Sequence, residues 1–395
     1  MEVFARSGDS FWYYSSLFML PLNLIIASNP NANPSNLKIS EKVAIPGYQS
    51  IPYKIQNGDT IFKIAASINL STDALLLLNQ QLEPNQLTPG EILLLPKRII
   101  HPIMSTSSPW DFKKLSEIIS DLKRVYPFIT VSSIGNSVLG TPINEIRIGN
   151  GSRKIHMNAS FHANEWITTM VLMVLINKYL LSLTTGNLMR GLNSLNLYEK
   201  VELSIVPMVN PDGVDLVLNG PPISFMEDVL KINDGSNDFL HWKANIRGVD
   251  LNKQFPANWG IAGQNKLPLS PAPRDYPGSA PLTEPEAIAM ADLANKNSFD
   301  CILAFHTQGE EFYWGYEGHE PPESAAMALE FEQISGYQAI RYVKSHAGYK
   351  DWYIQEFKRP GFTLELGKGI NPLPLSQFPK ILKRVEGIFI AALSI

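Results

Sequence analysis

A histidine and a carboxylate stand three positions apart in ASFHANEW, as His162 and Glu165, directly after the apolar run KIHMNAS. A neutral imidazole and a carboxylate on one tight turn can converge on a single divalent cation, and the pair suits Zn²⁺. Alone, H-x-x-E is a weak pattern that arises by chance in many chains. Its company is more telling. His306 ends the apolar run CILAFH, and Glu365 sits in FTLEL among apolar and β-branched neighbours. Charged residues rarely enter such runs without a partner or a task. Between them lie NPDG (Asn210 to Gly213) and WKANIRGVDLNKQFP (Trp242 to Pro256). The other histidines, His101, His156, His241, His319 and His346, have no comparable setting; His156 alternates with apolar neighbours and reads as core.

Positioning these groups falls to alternating elements. Apolar patterning predicts helices over DFKKLSEIISDLKRVY, WITTMVLMVLINKYLLSL and EPEAIAMADLANK, and a last one from Gln377. It predicts strands over INEIRIG, KIHMNAS, VELSIVPMV, CILAFH and FTLEL. Strands interleaved with helices in this way imply an α/β fold, a mixed sheet covered by helices on both faces. On such sheets, functional groups gather at the C-terminal ends of strands.

Taken in order, HANE, NPDG, VDLN, FHTQ and FTLEL make residues 110 to 395 resemble the M14 zinc carboxypeptidase family. The resemblance implies one Zn²⁺ per chain, held by His162, Glu165 and His306, with a fourth position left for water. It implies that Glu365 takes a proton from that water and later gives it to the leaving amine. The family balances the oxyanion with an arginine. Nine residues ahead of the VDLN asparagine this chain has Lys243, a point charge without the planar fork, and Arg247 is the alternative. Asp250 matches a carboxylate that orients a ligand imidazole, here His162, although a plain turn residue would read the same. Asn252 fits the contact to a substrate carboxylate, and Lys253 replaces the arginine that usually follows it. Asn164 stands where digestive members have an arginine between the first two ligands. Counting back from Asp351-Trp352 to the family's substrate-capping tyrosine lands on Val343; Tyr342 is one step off and Tyr349 lies nearer the pair.

The first hundred residues repeat with a shift of fifty. Gly8-Asp9-Ser10 falls on Gly58-Asp59-Thr60, Phe11-Trp12 on Ile61-Phe62, Asn29 on Asn79, Leu37 on Leu87, and Ile45-Pro46 on Leu95-Pro96. So many matches without a gap mean duplication. Each copy, 2–47 and 52–97, reads as strand, capped helix, helix, strand. This βααβ pattern resembles the LysM module, which implies binding to glycans containing N-acetylglucosamine. Residues 98–109 lose periodicity and gain Ser and Pro, so a linker is expected there, followed by the peptidase-like domain over 110–395. A chain of 395 residues is expected to hold more than one folding unit. A net charge of −4 gives no nucleic-acid footprint, and the single cysteine, Cys301, allows no intrachain disulfide. The apolar stretch 11–28 lacks a cationic flank and is broken by Pro21 and Asn23, so neither a signal peptide nor membrane insertion is expected.

Two LysM-like modules joined to an M14-like domain look like the bacterial γ-D-glutamyl-meso-diaminopimelate peptidases. The resemblance implies that the substrate is the peptidoglycan stem peptide, held near the enzyme by its glycan. A conventional carboxypeptidase acting on protein C-termini and an inactive glycan-binding protein are the competing readings. Without a leader, action inside a sporulating or lysing cell is expected, with wall association after export as the alternative.

Overall fold

A computed structural model of the protein describes residues 1–262 and 268–395. The chain divides into two compact units. The first comprises Met1–Met104, Ile118–Thr130 and Asn177–Ser194; the second comprises Ser105–Glu117, Val131–Ile176 and Leu195–Ile395.

In the first unit, β1 (Glu2–Phe4), α1 (Phe11–Phe18), α2 (Leu22–Ser28) and β2 (Lys42–Ala44) form one module; β3 (Tyr48–Lys54), α3 (Ile61–Ser67), α4 (Thr72–Leu78) and β4 (Ile92–Arg98) form its copy. Each module closes with an antiparallel strand pair. The duplication extends to single atoms. Ser10 and Thr60 cap their helices through the amides of Tyr13 and Lys63, both at 3.2 Å. The Asn29 amide donates to Ile25 O and Ala44 O while its oxygen accepts from Ala44 N. Asn79 repeats this with Leu75 O, Leu94 O and Leu94 N. One amide side chain thus ties the second helix of each module to its closing strand. Asn79→Ala is expected to cost about 1–3 kcal/mol locally. Hydrogen exchange should report it as lost protection at Leu94, with Ala44 unchanged as the internal control.

The apolar stretch 11–28 is folded into α1 and α2, with Phe11, Tyr14 and Phe18 fully buried and Trp12 70% exposed. Arg6 joins the two modules through a two-pronged contact with Asp73, at 2.8 and 2.7 Å. The later segments of this unit are tied in by Gly47, whose amide donates to Val125 O at 2.8 Å. With φ at +71°, and with Thr184 Cβ 2.7 Å from where a Cβ would stand, this position requires glycine.

Beyond the modules run α5 (Phe112–Val125), β5 (Thr130–Asn136), β6 (Pro142–Ile148), β7 (Arg153–Ala159), α6 (Ile167–Thr185), α7 (Ser194–Lys200), β8 (Val201–Val206), α8 (Pro211–Asn219), α9 (Met226–Ile232) and α10 (Trp259–Ala262). After them come α11 (Pro285–Asn297), β9 (Cys301–His306), β10 (Glu311–Tyr313), α12 (Glu323–Ser335), β11 (Gln338–Ile340), α13 (Tyr349–Phe357), β12 (Gly361–Glu365) and α14 (Phe378–Ser394). The strands form one mixed sheet in the order β11-β10-β12-β9-β7-β8-β6-β5, flanked by helices. Its centre, β12-β9-β7-β8, is parallel throughout, and β6 and β10 add antiparallel.

α11 and α13 share a core with Val206 and Ile302 of the sheet. Phe331 of α12 packs on Phe362 of β12, 4.9 Å between ring centres. The helix through Ala163–Thr185 is long and apolar enough to cross a membrane, and 94% of its apolar window is buried inside the protein; by composition the bent pairs α1–α2 and α3–α4 also qualify. Three strands went unpredicted. β10 and β11 are three residues each, too short for an alternating pattern, and β5 (TVSSIGN) is largely polar. His156 is the core residue expected, stacked 4.8 Å from Phe299 with Nδ1 on Ser204 Oγ; burial pushes its imidazole down to about 3.

Candidate active site

Because β7, β8, β9 and β12 are parallel, their C-terminal ends open on one crevice. Register puts Glu365 directly beside His306 and Ala159 beside Phe305. Past Ala159 the chain turns at Ser160, with φ at 50°, and enters the short turn Ala163–Glu165 that carries the first two candidate ligands.

That turn is braced from beneath. The amides of Val209 and Asn210 donate to Ala159 O and Ser160 O, both at 3.0 Å. The Asn210 side chain donates to Phe161 O (3.2 Å) and Ala244 O (3.0 Å) while capping α8 through Gly213 N (3.0 Å). A Cβ on Gly213 would come within 2.6 Å of the Asn210 amide. NPDG is therefore a brace: asparagine joins the ligand turn to the Lys243 segment, and glycine gives it room.

Donor atoms of His162, Glu165 and His306, all three residues buried, lie within 4.8 Å of one another. His162 Nδ1 is 2.8 Å from Glu165 Oε1, His306 Nδ1 is 3.0 Å from Glu165 Oε2, and the two Nδ1 atoms are 3.1 Å apart. Each Nδ1 has its own Glu165 oxygen, yet the two nitrogens crowd to 3.1 Å, so three donor atoms from separate segments are packed around one point. A tetrahedral zinc site spaces its ligand atoms by roughly 3.3 Å, so the three donors fit Zn²⁺ after a small expansion. Burial raises the Glu165 pKa, but His162 and His306 outweigh it and hold the carboxyl down at about 2.

Behind the donors, Asp250 Oδ1 lies 3.3 Å from His162 Nε2, and its Oδ2 accepts from Lys243 Nζ at 3.0 Å. Burial alone would raise the Asp250 pKa; Lys243 and His162 hold it well below the ordinary range. Lys243 also lies 3.6 Å from Asp275. Asp250→Asn would leave Lys243 undercompensated and the His162 tautomer less fixed. Zinc affinity, measured by chelator competition, is expected to fall about 10- to 100-fold.

Glu365, on the rim of the same crevice, has its carboxyl pushed up to about 7, chiefly by burial, with His306 and Lys243 opposing and Glu165 and Glu311 adding to the rise. That suits an acid–base group working near neutrality.

The cleft has a volume of about 330 Å³, and its walls bring together His162, Asn164, Glu165, Lys243 and Glu365 from the sequence reading. It also takes in groups the sequence did not single out, among them His241, Arg274, Tyr313 and Asn371. Asn371 donates to Thr307 O and reaches Glu165 Oε1 at 3.4 Å, while its backbone oxygen meets His241 Nδ1 at 2.8 Å. His241, Arg274 and Asn371 stand in irregular segments and Tyr313 ends the three-residue β10, so no period marks them; proximity of Thr307 and Gln308 to His306 was the one available signal.

The remaining candidates lie elsewhere. Arg247 is half-exposed and faces Glu284 at 3.6 Å. Asn252 Oδ1 accepts from Tyr349 N, and Lys253 is half-buried with its carbonyl bonded to the Trp259 indole. Tyr349 is fully buried, packed between Phe161 (5.5 Å) and Phe255 (5.1 Å) because it starts the buried face of α13. Tyr342 is half-exposed and bonded to Glu320.

Comparison with known proteins agrees with this geometry. Residues 115–385 match the zinc carboxypeptidase family and residues 53–96 the LysM domain. The chain is 49% identical over 395 residues, covering 100% of both proteins, to gamma-D-glutamyl-L-diamino acid endopeptidase 1 of Lysinibacillus sphaericus. It is 48% identical over 290 residues to the uncharacterized protein YqgT of Bacillus subtilis (strain 168), covering 72% of this chain and 77% of that one. Bovine thrombin-activatable fibrinolysis inhibitor, in its complex with tick carboxypeptidase inhibitor, shares the fold with a TM-score of 0.57 at 18% identity, over 73% of this chain and 97% of that one. With a buried His-Glu-His donor set at the strand ends and a family match through most of its length, the chain belongs to the zinc carboxypeptidase family.

Proposed function

We propose that the protein is a zinc metallopeptidase that hydrolyses the γ-D-glutamyl–meso-diaminopimelate bond of peptidoglycan stem peptides, with its N-terminal modules holding the glycan. The observation that carries this reading is the convergence of His162, Glu165 and His306 beside Glu365 at the strand ends, in a chain alike from end to end to an endopeptidase named for that type of bond.

One Zn²⁺ held by the three donors would supply a Lewis acid beside the scissile carbonyl. Glu365 accepts the proton of the attacking water and delivers it to the departing amine. Lys243 places positive charge at the same wall, where negative charge builds on the carbonyl oxygen. Asp250 holds the His162 ring from behind. The modules raise the local concentration of stem peptides through glycan affinity; the exposed Trp12 and Phe62, equivalent in the two copies, offer faces for sugar stacking. Action inside the cell that makes it is part of the same proposal.

Mass spectrometry of defined muropeptides tests the reading. Cleavage between D-Glu and diaminopimelate, abolished by chelator, is the expected result. Release of C-terminal residues from plain L-peptides instead would replace it with a conventional carboxypeptidase activity.

A further inference from the structure

We infer that Arg274 is the specificity determinant of the cleft, binding a substrate carboxylate that flanks the scissile bond. The inference rests on the γ-glutamyl reading above. Among the described residues Arg274 contributes the one guanidinium on the cleft wall. The two arginine-like positions expected from the sequence are both elsewhere: Arg247 faces Glu284, and Lys253 is not on the wall. Lys243, the other strong cation there, is already shared between Asp250 and Asp275.

Arg274 is differently placed. Its side chain is 62% exposed and its Nε donates to Asp275 Oδ2 at 3.1 Å, a contact that orients the planar group while leaving the Nη edge for a ligand. Such an edge pairs with a carboxylate through two parallel bonds. The backbone under it is fixed on both sides. Lys243 N and Ala244 N donate to Pro273 O at 2.8 and 2.9 Å, and Asp250 N donates to Tyr276 O at 2.7 Å. The segment carrying Arg274 is therefore strapped to the one carrying Lys243 and Asp250, a fixed mount of the kind recognition needs.

The cleft also sets the chemistry of what binds. Glu165 and Glu365 line it, so an anionic substrate needs a cation away from them. A γ-linked glutamyl residue keeps its α-carboxylate at the far end of the side chain being cleaved; an ordinary peptide bond has no such group on the acyl side. The diamino acid's own carboxylates are the other source of the same chemistry.

The test uses the full zinc-loaded chain and L-Ala-γ-D-Glu-meso-diaminopimelate in three forms: unmodified, with the glutamyl α-carboxylate amidated, and with the diaminopimelate carboxylates amidated. Wild type is expected to lose about 10- to 100-fold in kcat/KM on the form whose amide replaces the carboxylate held by Arg274. Arg274→Gln should lose the same factor on the unmodified substrate, mainly through KM, and should no longer discriminate that amide. Arg274→Lys should recover part of the loss. An Arg274→Gln enzyme that discriminates every amide as wild type does overturns the inference while leaving the γ-glutamyl reading intact. A wild type that cleaves none of the three forms but trims plain L-peptides overturns both.

Discussion

Glu365→Gln is expected to lower kcat by about 10²- to 10⁴-fold while zinc content stays at one per chain. The amide keeps the shape and the place beside His306 in the sheet but cannot take a proton from water. The pH profile gives a second readout. A base works only when deprotonated, so activity should fall on the acid side as Glu365 takes up its proton. Burial holds its carboxyl near 7 in the metal-free protein. A dication among the three donors lowers it further, so the acid limb of kcat/KM should fall below pH 7. The residual activity of Glu365→Gln should lose that limb. Retention of both limb and rate in the variant would remove Glu365 from the proposed chemistry.

Chelation should have the other large effect, on activity and on stability together. Without a cation, two imidazoles and a carboxylate are left facing one another at 2.8–3.1 Å. At free zinc a thousandfold above Kd, binding adds about 4 kcal/mol. For a unit of this size that corresponds to a rise of roughly 8–16 °C in Tm. Calorimetry of the stripped and reloaded chain checks the figure, and a single unmoved transition would refute it. Proton competition fixes the sign with pH. Burial lowers the His306 pKa, but Glu165 more than offsets this and holds it above 6.5 in the metal-free protein. Zinc affinity should therefore start to weaken above pH 6.5 on acidification and keep falling below it.

Much of this site was legible because its chemistry sits at the ends of regular elements. His306 and Glu365 each end a strand whose other residues are mostly apolar, and a charged group in that position stands out. His162 and Glu165 follow a strand directly. The duplication was equally plain, since a fixed shift needs no knowledge of the fold. Arg274, His241 and Asn371 gave no such signal. They reach the cleft from irregular segments, and only the folded backbone, through bonds such as Lys243 N to Pro273 O, decides which polar groups arrive there. Asn252 and Tyr349 show the converse. Both belong to stretches with family-like sequence, yet in this structure one is bonded to the other's backbone and the ring is sealed in aromatic packing.

The paired amides Asn29 and Asn79 also bear on how the modules can change. Because one side chain holds the closing strand onto the second helix, the residues strung between them, 30–41 and 80–91, are relieved of most of that duty. Apart from Leu37, Leu82 and Leu87, which pack on the module cores, and the ends at 40–41 and 90–91, which bond to Ala5 and Ile55, those stretches can be rewritten, by selection or by grafting, with the frame around them left standing. A binding surface placed there would be exchangeable, and two copies allow one to be altered while the other keeps its hold.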